Sequence, residues 1–143
     1  MTPSTDTIAK TLAHHKLRDT QTRRLVLQAM YASKKPLSPA DIRQWILRRG
    51  AAINTVTVYR ILDAFAALHI VHKHPYNGLY TACSMPETPG HHGFLHCDDC
   101  GSVEEFHDHR LCRIENDIAA RAGYKPTMHV SEIRGICSAC SAS

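Results

Sequence analysis

Long apolar runs are missing from this chain. The longest, such as AFAALHIV, fall far short of the roughly 20 residues that a membrane-spanning helix needs. The opening MTPSTDTIAK carries no apolar stretch of the kind that forms a secretory leader. Both absences lead us to expect a cytoplasmic chain with no membrane partner. Internal repeats and low-complexity tracts are absent too. At 143 residues and 43% hydrophobic content, the chain can build one ordinary domain or two small ones. Cysteine, by contrast, is plentiful. Six cysteines in a reducing compartment suggest metal binding or redox chemistry rather than disulfides.

Negative charge is scarce in the front half. Residues 1–82 carry 12 Lys/Arg against 4 Asp, a net +8, while residues 83–143 carry 5 Lys/Arg against 9 Asp/Glu, a net −4. The split predicts two parts with different partners. A basic front half is the electrostatic footprint of a nucleic-acid binder, or else a solvated basic face, and charge alone does not choose.

The pattern of elements is more specific. Residues 7–14 fit a short helix. DTQTRRLVLQAMYAS spaces Leu25, Leu27, Ala29 and Met30 as a partly buried helix does. In LSPADIRQWILRRG, Ser38 is placed to cap, Pro39 suits the first helical position, and Gly50 is a stop. Asn54 then precedes Val58, Ile61, Leu62, Phe65 and Leu68 at helical spacing, which outweighs the strand tendency of Thr55–Val58. Two β-prone runs flank Pro75-Tyr76-Asn77-Gly78, a hairpin signal. Helices followed by a hairpin predict a winged helix-turn-helix over 1–83, with Tyr59 and Arg60 on its recognition helix. SMPETPGHHG reads as a linker, 84–93. Residues 94–143 predict a small α+β domain: strands near 94–96 and 103–106, a helix after Asp108 with Leu111, Ile114, Ile118 and Ala122 on its apolar face, and a last strand, TMHVSEIRGI.

Cys97-x2-Cys100 and Cys137-x2-Cys140 bracket that second part. Two such knuckles supply four soft donors for tetrahedral zinc at about 2.3 Å, with no open coordination position, so the expected site is structural. An ion there would staple the start of a small domain to its end.

TVYRILDAF, HHGFLHCDDCGSVEEF and IRGICSAC together resemble the ferric-uptake-regulator family of metal-dependent repressors, from about Leu17 to Cys140. The resemblance implies a homodimer with an N-terminal winged helix and a C-terminal dimerisation domain. It also implies binding to double-stranded operator DNA when loaded with a metal co-repressor. One departure is DTQTRR at 19–24, where the family usually has Thr-Pro-Gln-Arg. Thr20 and Arg23 match, while Gln21 and Thr22 do not.

Within the family, His72, Cys83, a histidine before Cys97 and Glu105 resemble the sensor site of the zinc-uptake branch. Spacing back from Cys97 selects His92, and spacing forward from Cys83 selects His91. Phe94 stands where another family ligand is usual. A thiolate with two imidazoles and a carboxylate suits zinc better than octahedral iron or manganese. The expectation is therefore two zinc ions per chain, one structural and one regulatory, and a zinc-responsive repressor. An iron-responsive regulator of the same family is the alternative. A third family position maps to His91, Gly93, Cys112 and His129. Glycine offers no side-chain donor, and Cys112 replaces a usual carboxylate, so this site is expected to be weak, altered or absent. His14, His15, His69, His74, His96, His107 and His109 read as surface or packing residues.

For DNA, Tyr59 is expected to touch bases, and Arg60 and Arg23 to clamp phosphates, joined by Thr57 and Arg18. Arg24 and Lys73 would add to the field. Nothing resembles a catalytic nucleophile with its base, or a metal with an open position and a base. We therefore expect neither an enzyme nor a small organic substrate.

Overall fold

The computed structural model describes residues 4–88 and 91–142. The chain divides into two compact units, residues 1–83 and 84–143.

The first unit begins with four helices, α1 (Thr5–His14), α2 (Gln21–Ala32), α3 (Pro39–Leu47) and α4 (Thr55–Ala67). Each is opened by a side-chain oxygen that accepts a backbone N–H the helix would otherwise leave unsatisfied: Ser4, Thr20, Ser38 and Asn54. Ser4 starts α1 two residues before the expected boundary. At α3 the cap is reciprocal, because Asp41 accepts from the Ser38 backbone while Ser38 accepts from that of Asp41. The Asn54 cap and the burial of Val58, Ile61, Leu62 and Phe65 override the strand tendency of the first turn of α4. These residues join Ile8, Leu12, Val26, Leu27, Met30, Ile42 and Ile46 in one core. Each such side chain contributes about 1.5–3 kcal/mol on burial.

A wing follows, formed by β1 (Val71–Lys73) paired antiparallel with β2 (Tyr80–Ala82). Its loop spans residues 74–79 rather than a two-residue turn. The His74 carbonyl accepts from the Gly78 N–H, and Asn77 Oδ1 accepts from Leu79. Gly78 supplies the positive φ of 71° that the loop requires. Leu37 bridges Tyr80 through two 2.9 Å hydrogen bonds, a one-residue third strand that the sequence pattern does not announce.

The second unit has β3 (Gly93–Cys97), β4 (Val103–Phe106), α5 (His109–Arg121), β5 (Ser131–Gly135) and the short α6 (Ser138–Ser141). The sheet order is β4-β3-β5, with β4 antiparallel and β5 parallel to β3. The last strand is shorter than expected, with residues 127–130 and Ile136 outside it, and α6 is one helical turn that the sequence reading did not anticipate. Of the expected linker, Pro89 and Gly90 lie outside the described residues.

The apolar face of α5 is not buried. Ile114 and Ile118 are each 56% exposed, and Tyr124, Met128, Ile133 and Ile136 are exposed in the same unit. A single copy of this unit leaves that surface uncovered.

No helix among the described residues is long and apolar enough to cross a membrane.

Candidate metal centres and nucleic-acid interface

The four cysteines of the two knuckles converge, with their sulfurs all within 4.8 Å of one another. Cys97 closes β3 in register with Gly135 of β5, and this pairing brings the two knuckles together. The first knuckle turns through Gly101, whose φ of 72° would strain any side chain. The second is a helical turn in which the Cys137 carbonyl accepts from Cys140 and Ser141. Cys100 Sγ and Cys137 Sγ stand 3.9 Å apart, and Cys97 Sγ accepts the Cys137 N–H at 3.3 Å. Arg134 and Asp98 form an ion pair at 2.8 Å beside the cluster.

None of the six cysteines is in a disulfide. Backbone N–H groups of Cys100 and Cys137 pull the Cys97 thiol down to about 6. Its neighbour Cys137 and burial push Cys140 up to about 12. Four adjacent sulfurs cannot all carry negative charge without a cation between them, and a soft divalent ion removes that conflict. The residues therefore fit tetrahedral zinc.

A second set of candidates is divided between the units. In the first, His72 faces Thr81 across the hairpin, and Cys83 directly follows β2. A His72 ring nitrogen and the Cys83 sulfur lie within 4.8 Å of each other. Cys83 is 7% exposed, and its N–H donates to the Ile70 carbonyl at 2.9 Å. In the second unit, His92 Nδ1 pairs with Glu105 Oε1, both side chains being buried, and His92 Nε2 lies 3.0 Å from the Thr88 carbonyl. Ser84 donates to the other Glu105 oxygen through its backbone at 2.7 Å and its hydroxyl at 2.8 Å. Sequence spacing left His91 and His92 equally open. The structure puts His92, not His91, against Glu105.

His91 turns to α5 instead. Its Nε2 lies 2.8 Å from Glu115 Oε2, and His129 Nδ1 lies 2.7 Å from the same oxygen. Cys112 Sγ stands 3.3 Å from His91 Nδ1 and 3.7 Å from Nε2. Burial and the facing His129 push His91 below its ordinary value. Burial alone would raise Glu115, but hydrogen bonds from Ser131 and His129 hold it below the usual carboxylate range. Glu115 is the residue that sequence reasoning missed. Its signal was the Cys112/Glu115 spacing, three residues apart on one helix face. Gly93, the family position that lacks a donor, is pressed against Phe106: a Cβ there would meet the ring at 2.3 Å.

The nucleic-acid candidates lie in the first unit. Arg18, Arg23, Thr57 and Arg60 line one open cleft of about 360 Å³, together with Thr20 and Thr22. The N-terminus of α2, with its capping Thr20, opens onto this cleft, a favourable place for a phosphate. Arg23 Nη1 donates to the Arg18 carbonyl at 2.7 Å, which fixes its reach. Tyr59 is 47% exposed on the same helix as Arg60 but does not line the cleft. Arg24 is held by Asp19, which offsets its contribution to the field. Lys73 lies over the Tyr80 ring at 5.7 Å. His74 and His96 are both buried, with His74 Nε2 2.8 Å from Thr81 Oγ1 and His96 Nε2 3.4 Å from Glu132 Oε1.

A winged helix with a basic cleft, joined in one chain to a four-thiol cluster, defines a metal-responsive transcription regulator. The chain belongs to the ferric uptake regulator family, whose model matches residues 14–134. A ferric uptake regulation protein of Legionella pneumophila is 35% identical over 116 residues, covering 80% of this chain and 85% of the relative. A solved zinc uptake regulator complexed with zinc and DNA is 28% identical with a TM-score of 0.88, over 98% of this chain and 97% of that one. The crystal structure of holo XcZur gives 28% and 0.87, over 98% and 100%.

Proposed function

We propose that this protein is a zinc-responsive repressor that binds operator DNA as a homodimer and controls zinc-uptake and homeostasis genes. The observation that carries the choice of metal is the Cys83 thiol beside His72 at the base of the wing. A thiolate, two imidazoles and a carboxylate (Cys83, His72, His92 and Glu105) form a borderline-soft donor set that favours tetrahedral zinc over six-coordinate iron. Cys97, Cys100, Cys137 and Cys140 would hold a second, structural zinc, giving two per chain. Similarity to a zinc regulator bound to zinc and DNA supports this reading. The curated relatives are named for ferric uptake, which keeps an iron-responsive regulator as the second reading.

Bound there, zinc would supply a divalent charge that the Cys83 thiolate and the Glu105 carboxylate balance, with the two neutral imidazoles completing the donor set. The chain's own residues do the rest. His72 and Cys83 come from the wing, and His92 and Glu105 from the second unit. Donors drawn from both units would restrict their relative motion and favour dimers whose two recognition helices match a palindromic operator. Moving such an equilibrium from 1:99 to 99:1 takes about 5.5 kcal/mol of differential binding. Apparent affinities of structural zinc, about 10–16 kcal/mol, exceed that. Arg23, Arg60, Thr57 and Arg18 set the register on phosphates while Tyr59 reaches the bases.

The test is retention of an operator, selected from a random duplex pool, across buffered free zinc and, separately, anaerobic ferrous iron. Zinc-dependent retention that Cys83→Ser abolishes, together with loss of one zinc per chain in that variant, is the expected result. Retention that needs iron and ignores zinc would establish the second reading.

A further inference from the structure

We propose that Val56 reads a thymine methyl in the operator, so that Val56 and Tyr59 together form an apolar reading stripe on α4. The proposal rests on α4 entering the major groove, and it is independent of which metal is sensed.

The β-branched run Thr55-Val56-Thr57-Val58 disfavours the helix that it opens. Val58 is fully buried in the core. Thr57 lines the basic cleft and donates its N–H to Asn54 Oδ1. Val56 does neither. It is 59% exposed, more than any other large hydrophobic side chain described in the first unit. Alanine at that place would favour the helix and expose less apolar surface, so neither propensity nor packing accounts for a valine.

Helical geometry divides α4 into three stripes. Val58, Ile61, Leu62 and Phe65 face the core. Thr57 and Arg60 face the basic cleft. Val56 and Tyr59 stand three residues apart on the remaining, outward stripe, and both are exposed. Asp63 continues that stripe one turn later and is exposed too. Phosphates repel a carboxylate, so the part of the stripe that enters DNA ends before Asp63. What enters is the N-terminal half of α4, the part with which a recognition helix meets base edges.

The thymine C5-methyl is the apolar substituent on the major-groove edges of the bases, and it is the chemistry that such a stripe recognises. Valine makes no side-chain hydrogen bond. It selects by covering that methyl, and it leaves unpaired the donors and acceptors that other bases place there. Along the helix axis Val56 and Tyr59 are about 4.5 Å apart. Base pairs stack about 3.4 Å apart, so the spacing suits neighbouring base pairs. Each half-site should therefore carry thymines at two neighbouring pairs, beside the phosphates held by Arg60 and Arg23.

The test selects an operator from a random duplex pool with the full-length dimer, loaded with whichever metal supports retention. Deoxyuridine then replaces thymidine one position at a time, which deletes the methyl and keeps the base pairing. With the parent protein, each replacement under a covering side chain should weaken binding about fourfold, the worth of one buried methyl. In Val56→Ala that penalty should vanish at one thymine per half-site and persist at its neighbour. In Tyr59→Ala the pattern should reverse. Val56→Thr, which keeps the branched shape and one methyl, should retain part of the penalty. The salt slope should be unchanged in Val56→Ala, because no phosphate contact is lost. Unchanged deoxyuridine penalties at every thymine in Val56→Ala would overturn the proposal, and so would a flatter salt slope with unchanged base preference. Failure of the zinc-sensing reading would appear separately, in the metal that the selection requires.

Discussion

Asp41 shows how one carboxylate can serve a whole helix. It accepts from the backbone and the hydroxyl of Ser38, and the backbone bond is the larger cause holding its carboxyl below the usual range. A carboxylate depressed in the folded state contributes stability above its ordinary range, and that contribution is lost as pH falls through the range. Asp41→Ala should therefore lower the stability of the first unit by about 0.5–2 kcal/mol at neutral pH, with less difference from the parent below pH ~4. Trp45, the single tryptophan, sits on α3 and reports the loss by fluorescence in urea. In the second unit the corresponding sensitive residue is Gly93. A methyl group there meets the Phe106 ring at 2.3 Å, and β3 cannot retreat without losing both neighbouring strands. Gly93→Ala should cost about 1–3 kcal/mol through overpacking. Phe106→Leu in the same chain should recover part of it, read by hydrogen exchange of the β3 amides.

At the scale of elements, the second unit has few internal contacts to spare. No residue of α5 is buried, and the sheet has three strands. The two cysteine knuckles tie the C-terminal end of β3 to the residues after β5, so metal removal should act on this unit selectively. Cys100→Ser, or a strong chelator, should erase exchange protection across β3 and β5 while Trp45 fluorescence stays native. Loss of the Trp45 signal in step with that protection would refute a selective staple. The same contrast explains what could be read from the sequence. Caps, helical periodicity and paired knuckles are local signals, and Ser38, Asn54, Asp108 and the four cysteines announced their elements correctly. The Leu37–Tyr80 bridge, the choice of His92 over His91 beside Glu105, and the arrival of Glu115 next to His129 depend on which segments fold together. Spacing along the chain carries no such information. Phe106 over Gly93 belongs with these: a glycine reads as a missing ligand until the ring that occupies its place is seen.

At the scale of the whole molecule, the uncovered face of α5 and the basic cleft belong to one argument. Ile114 and Ile118 are exposed in a single copy, and a second copy of this chain would bury them. Ile118→Glu should therefore yield monomers in sedimentation at concentrations where the parent is dimeric. A dimer brings Arg18, Arg23 and Arg60 to DNA twice, once per protomer. Each phosphate neutralised contributes about −0.9 to the slope of log affinity against log salt. Arg60→Ala should flatten that slope by about 2 in the dimer, since both copies lose a contact, and weaken binding across sequences rather than at one base. Tyr59→Ala should leave the slope unchanged and instead relax preference at the base it touches. If Arg60→Ala changed sequence preference and left the salt slope alone, Arg60 would be reading bases, and the phosphate clamp would have to be sought elsewhere on the cleft, at Arg18 and Arg23.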